Sequence, residues 1–269
     1  LTIVPTYERA KPILQSAPEV VSDAASPGVL SGDIEVNGLT FRYSEDSPTI
    51  LSELTFRIQP GEFVAFVGPS GSGKSTLLRL LLGFETPTTG AIYYDGQDLA
   101  SLDVAAVRRQ LGVVLQNGQL LAGDLYSNIV GSSPLTVDDA REAARASGLE
   151  EDINRMPMGM HTIIPDGGGT LSGGQRQRLL IARAIANKPR IIYFDEATSA
   201  LDNRSQSVVT GSLAQLKTTR IVIAHRLSTI IEADRIFVLT RGRIVQEGTF
   251  ESLMQEEGVF KELASRQMV

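Results

Sequence analysis

FVAFVGPSGSGKSTLL, residues 63–78, is the stretch on which the fold turns. Five apolar residues in a row, Phe63 to Val67, are too few for a helix and apolar on both faces, the pattern of a buried parallel strand. The run leads into Gly68, Pro69, Ser70, Gly71, Ser72, Gly73, Lys74, Ser75 and Thr76, then into leucines 77, 78, 80, 81 and 82 at helical spacing. Strand, glycine loop, helix is the context in which G-x-x-x-x-G-K-[ST] binds phosphate. The glycines let backbone N–H groups close around the β- and γ-phosphates. Lys74 adds a point charge, and the Ser75 hydroxyl is placed to ligate Mg²⁺. A flexible glycine turn accounts for the loop alone, but not for the strand before it and the helix after it. Residues 68–76 read as a nucleotide site.

Outward from this loop the chain divides. Residues 34–43 and 50–58 are rich in β-branched and aromatic residues on either side of a Ser-Glu-Asp-Ser-Pro turn, which predicts antiparallel strands. Further strands are expected over 91–94 and 112–115, with a short helix over 103–109 between them. Residues 119–187 change to Ala, Arg, Glu and Met at helical spacing, and 138–148 starts on acids and ends on Gly148, a well-marked helix. Strand and helix then alternate again, with strands over 191–194, 221–224 and 236–239 and helices over 205–216 and 227–232. Such alternation predicts a mainly parallel sheet flanked by helices. The fold class is therefore α/β: a P-loop core, an N-terminal antiparallel β-subdomain and a helical insertion. Residues 1–32, with Pro5, Pro12, Pro18 and Pro27, suit a linker or extended arm.

Composition narrows the chemistry. The 269 residues contain no cysteine, which excludes disulfides and thiolate metal sites, and two histidines, His161 and His225, which excludes a histidine-rich zinc site. A net charge of −6 with a pI near 5.1 argues against a broad basic face for nucleic acid, so no nucleic-acid partner is expected. No apolar run reaches the length of a membrane span. The chain starts at Leu1 without an initiator methionine or a leader pattern, and is expected to be a piece of something longer.

Two further stretches bear on the nucleotide. IIYFDE, residues 191–196, ends an apolar strand on Asp195 and Glu196. Asp195 is placed to hold Mg²⁺ through water, and Glu196 to orient and deprotonate the attacking water. LSGGQRQR, residues 171–178, sets two glycines directly behind a serine N-cap. A helix start stripped of side chains leaves its N–H groups and positive dipole end open to an anion. One small chain thus carries two phosphate-binding devices.

With LSGGQ beside these motifs, residues 33–265 resemble the nucleotide-binding domain of ABC transporters. The resemblance implies that two copies pack head to tail. Ser172, Gly173, Gly174 and Gln175 of each would then close over the γ-phosphate held by the other's loop, the part an arginine finger plays elsewhere. It implies ATP and Mg²⁺ as ligands, with Ser75, Gln116 and Asp195 toward the metal and Glu196 as general base. Gln116, ending GVVLQ, is similar to the Q-loop glutamine, and His225, in IVIAHRLS, to the histidine that bonds the γ-phosphate. Asp202, in SALD, corresponds to a residue acting across the dimer interface. Tyr43, in TFRYS, corresponds to an aromatic that stacks on adenine. His161 matches no motif. IIPDGGGTLSGGQ resembles an exporter-type loop before the signature, although Asp166 stands where glutamate is usual and Pro165 where glycine is usual.

The resemblance implies an exporter motor whose transmembrane part is fused upstream of Leu1, at the cytoplasmic face of the cell (inner) membrane. The segment 120–129 would face that part. The arm LTIVPTYERAKPILQSAPEV and the closing half are similar to bacterial bacteriocin or peptide exporters. A soluble ABC-type ATPase acting on nucleic acid or ribosomes is the alternative. Chromosome-type members separate loop and signature by long coiled coils, whereas here Ser172 follows Lys74 by 98 positions without a heptad run. Ribosome-acting members usually hold two such domains in one chain, and this chain has room for one.

Overall fold

The run FVAFV folds as expected, into a strand with all five residues buried. It sits within a computed structural model that describes residues 3–15, 24–195, 209–213, 218–224 and 229–267. In chain order, β1 (Ile34–Phe41) and β2 (Leu51–Ile58) pair antiparallel and β3 (Phe63–Val67) follows them. The chain then forms β4 (Thr89–Tyr94) and β5 (Gln97–Asp98), which return to the first pair in the order β2-β1-β4-β5. The larger sheet adds β6 (Leu111–Val114). The helical insertion holds a two-stranded ribbon, β7 (Gly123–Asp124) with β8 (Ile163–Ile164). Then come β9 (Ile191–Asp195), β10 (Thr219–Ile223), β11 (Arg235–Thr240) and β12 (Arg243–Gly248). The six-stranded order is β12-β11-β3-β10-β9-β6, parallel throughout except for the β11–β12 hairpin.

Alternation explains the smaller sheet. Ile34, Val36, Leu39 and Phe41 of β1 and Leu51, Leu54, Phe56 and Ile58 of β2 point to one buried face. That face meets Leu77, Leu78, Leu80 and Leu81 of helix α2 (Lys74–Leu81) and one face of the large sheet. Phe56, Phe66 and Phe237 meet there with ring centroids 5.2–5.3 Å apart. Each such buried ring stabilises the fold by about 1.5–3 kcal/mol. Short helix α3 (Val104–Arg108) starts on the side chain of Asp103, which accepts the Ala106 N–H.

The insertion has its own core. Helices α4 (Leu125–Val130), α5 (Val137–Ala146), α6 (Glu150–Arg155) and α7 (Gly173–Ile185) gather Leu125, Ile129, Ala140, Ala144, Ile153 and Leu179 against Val114, Ile192 and Phe194. The expected helix over 138–148 is α5. Its start is a capping box in which Thr136 and Asp139 satisfy each other's backbone N–H. From α7, the half-buried Arg183 donates to the carbonyls of Asn128 and Gln119 and to Asn128 Oδ1. Burial lowers its pKa.

Several expectations are corrected. Residues 3–15, read as linker or extended arm, form helix α1 (Ile3–Gln15) with Pro12 inside it. Residues 24–32 pack on the domain: Ala25 bridges Leu102, Leu30 is buried, and Asp95 accepts the N–H groups of Ser31, Gly32 and Asp33. The first strand stops at Phe41, not at 43, because Ile50 N–H closes the hairpin on the Phe41 carbonyl. The described end of the helix expected over 227–232 is a turn, in which the Ala233 N–H reaches the Ile230 carbonyl. Of the helix expected over 205–216, residues 209–213 are described and are helical. Past Leu239 the sequence pattern marked nothing, yet β12 extends the large sheet and the helices Phe250–Gln255 and Val259–Gln267 cover its second face. The signal was present in Arg241-Gly242, whose φ values of 48° and 75° make a tight hairpin turn.

One polar pair lies between the sheets. Tyr193 Oη is 2.6 Å from Tyr94 Oη, which donates to the Leu81 carbonyl at the end of α2. Burial pushes both phenols well above the ordinary tyrosine value, so both stay neutral. Tyr193→Phe is expected to cost about 1–2 kcal/mol, because it strips a buried partner from Tyr94. The urea midpoint reads this directly, and an unchanged midpoint would remove the pair from the account of stability.

Candidate nucleotide site

The loop after β3 is shaped by its neighbours. At Gly68, φ 152°, a Cβ would stand 2.0 Å from the Leu239 carbonyl oxygen. At Gly73, φ 105°, it would stand 2.5 Å from Leu51 Cδ2, so the small sheet is seated against the loop. The hairpin turn after β11 closes from the other side, with the Gly242 N–H on the Ser72 carbonyl at 3.0 Å. The Leu239 carbonyl leaves no room for a side chain at Gly68, and both glycines hold a φ that L side chains rarely adopt, which is why the pattern demands glycine there.

Lys74 opens α2 and is buried. Its ammonium donates to the carbonyls of Gly68 (2.8 Å) and Pro69 (3.0 Å) and to Ser72 Oγ (3.3 Å). A cation is thus held inside the ring of residues 68–74, while Ser70, Gly71 and Ser75 face outward. Fixed positive charge, a helix start and hydroxyls on one rim fit a polyphosphate. Beside the rim, the exposed Tyr43 leans edge-on against Phe41, ring centroids 4.9 Å apart, and its hydroxyl lies 3.3 Å from Thr76 Oγ1. Tyr43 is therefore placed by the turn after β1 and not by strand alternation.

Register brings the acid to the same place. Ile223 of β10 pairs with Phe66 on one side and Asp195 on the other. Asp195 is thereby level with the end of β3, two strand spacings or about 10 Å across the sheet. On the far side of β9, Val114 pairs with Phe194, and Gln116 follows two residues on in an exposed turn closed by Gly118 N–H on the Leu115 carbonyl. Loop, Asp195 and Gln116 all stand at the C-terminal ends of parallel strands, where open α/β sheets bind ligands. Glu196, Asp202 and His225 lie outside the described residues.

LSGGQ sits elsewhere, on the helical core. Ser172 caps α7: its Oγ accepts the Gln175 N–H, and Gln175 Oε1 accepts the Ser172 N–H at 3.0 Å. Ser172 and Gly173 are exposed, and a Cβ on Gly173 would meet nothing within 4 Å. The Gln175 amide turns inward to Asp152, so its bonds hold the helix start. Residues that the sequence reading passed over tie this helix to the first site. Arg176 donates to the carbonyl of Gly118, in the loop of Gln116, at 2.7 Å, and to that of Gly167. The spacing of arginines in GGQRQRLLIAR was the available signal, since 176 and 183 share one helix face.

Comparison with known proteins bears on the family and the fold. The ABC transporter family profile matches residues 51–199. The chain belongs to the ABC transporter family, and its fold is that of the family's ATP-binding, ATP-hydrolysing domain. Among relatives, it is 42% identical over 260 residues to the leukotoxin translocation ATP-binding proteins LktB of Mannheimia glucosida and Mannheimia haemolytica. Those alignments take in 95% of this chain and 37% of each relative, so the chain spans little more than a third of their length. The solved structure of a bacterial Atm1-family ABC exporter with ATP bound superposes with a TM-score of 0.92 at 35% identity. It covers 99% of this chain and 47% of the exporter chain.

Proposed function

We propose that this chain is the motor of an exporter: two copies close head to tail around two ATP, and hydrolysis reopens them. The observation that carries the reading is the capped, bare start of α7, exposed at Ser172 and Gly173 and bonded within the helical core through Gln175. A positive helix end aimed outward completes a site only when a second chain presents its nucleotide.

In this reading residues 68–76 grip the phosphates and Tyr43 stacks on adenine. Residues 172–174 face the partner's γ-phosphate, with Gln175 fixing them and Asp202 acting across the interface. Glu196 takes the proton of the attacking water, and His225 donates to the γ-phosphate. Mg²⁺ would be held by Ser75, Gln116 and Asp195, and would supply positive charge against the phosphates. Residues 1–32 form the arm and 33–269 the nucleotide-binding domain, with the helical subdomain at 119–187. A transmembrane part fused upstream of Leu1, at the cytoplasmic face of the cell membrane, would move with the closure, and its cargo is of the peptide class. Among the described residues no helix is long and apolar enough to cross a membrane. Exposed Leu121, Met158 and Ile163 on the helical insertion, near Gln116 in sequence or by the β7–β8 ribbon, offer an apolar seat for that part.

Specific ATPase activity is expected to rise with chain concentration, because each site needs two chains. Assays from nanomolar to tens of micromolar protein read this. Activity per chain that is flat over the range, with a monomer throughout by light scattering, would overturn the shared site.

A further inference from the structure

We infer that Asp152 is a positioning residue for the signature helix, coupling α6 to the start of α7; this rests on the shared-site reading above. The first two helical residues of α7 are Gly173 and Gly174, which offer no side chain to hold the helix start in place. Arg176 reaches across to the loop of Gln116, while Gln175 and Arg178, three residues apart and therefore on one face, turn toward α6. Both end on the same carboxylate. Gln175 Nε2 donates to Asp152 Oδ1 at 2.9 Å, and the Arg178 guanidinium donates to Asp152 Oδ2 at 2.7 Å. The Arg178 side chain is 11% exposed and that of Asp152 21%, so the pair is screened little by solvent.

The Gln175 side chain has two ends and uses both. Its oxygen caps the Ser172 N–H while its nitrogen is fixed by Asp152. The direction of the bare N–H groups at 173 and 174 is thus set by a carboxylate on a neighbouring helix. Movement of α6 is transmitted to them without passing through the nucleotide loop. Glutamine is the one residue type that both closes this cap and offers an amide N–H to a carboxylate.

The test is Asp152→Asn in the full 269-residue chain, with ATP as the probe. Asparagine keeps the shape, but its amide nitrogen must face either the Gln175 amide or the Arg178 guanidinium, donor against donor. ATPase activity at a fixed chain concentration should fall about tenfold, and the concentration for half-maximal specific activity should rise by a similar factor. ATP affinity of the dilute chain, by calorimetry, should stay within about twofold, since the phosphate loop is untouched. By hydrogen exchange the amides of Gly173, Gly174 and Gln175 should lose protection while Leu179 to Ile185 keep theirs. Gln175→Met, which spares the Asp152–Arg178 pair, should shift the same readouts in the same direction, and serves if Asp152→Asn fails to fold. Activity curves that superpose on the parent's, with a lowered melting temperature only, would overturn the positioning role. A parent chain with no concentration dependence would instead overturn the shared-site reading beneath it.

Discussion

Lys74→Ala is expected to weaken ATP binding by about two to four orders of magnitude while leaving the fold in place. Each charge-assisted hydrogen bond to phosphate contributes about 1.5–3 kcal/mol, and two lost bonds give about 3–6 kcal/mol. The structure adds a second reason. The ammonium bonds to Gly68, Pro69 and Ser72, so it also braces the loop from within. Lys74→Arg is expected to fare little better, since a planar guanidinium replaces a compact ammonium in a ring already closed by Leu239 and Leu51. Calorimetry with ATP reads both variants. Affinity equal to the parent's would remove the phosphate-loop assignment and everything built on it.

Glu196→Gln is expected to cut hydrolysis by about 10²–10⁴-fold with ATP binding intact. Glutamine preserves size and hydrogen bonding to water, but it cannot take a proton. If closure precedes hydrolysis, the variant should accumulate as an ATP-bound dimer, visible in sedimentation velocity at saturating Mg-ATP. A variant that stays monomeric there would refute the head-to-tail closure, whatever its residual activity.

How much of this was legible beforehand differs by element. The phosphate loop could be read to the residue, because its strand, glycines, lysine and helix are consecutive and each answers a local requirement. The antiparallel pair and the parallel sheet were equally open to reading, since side-chain alternation and short apolar runs report burial directly. Tyr43 shows the limit: the resemblance marked it and the strand was expected to reach it, but the strand ends at Phe41 and a turn decides its direction. Helix α1 shows another, since the prolines of the arm indicated linker while residues 3–15 are helical. Asp152 left no signal at all in the sequence, being an unremarkable acid in a run of three on a short helix.

By itself, then, the sequence determined the chemistry: a glycine-lined loop with one lysine, an acid ending an apolar strand, and a serine-capped helix start without side chains. These are local facts, set by which backbone angles and charges consecutive residues permit. Only the tertiary structure decided which of them meet. Strand register, fixed by pairing to residues far along the chain, set Asp195 and Gln116 at the same end of the sheet as the loop. Packing of the helical core held 172–175 on Asp152, apart from it. Contacts of that kind depend on the whole buried surface, which no window of neighbouring residues contains.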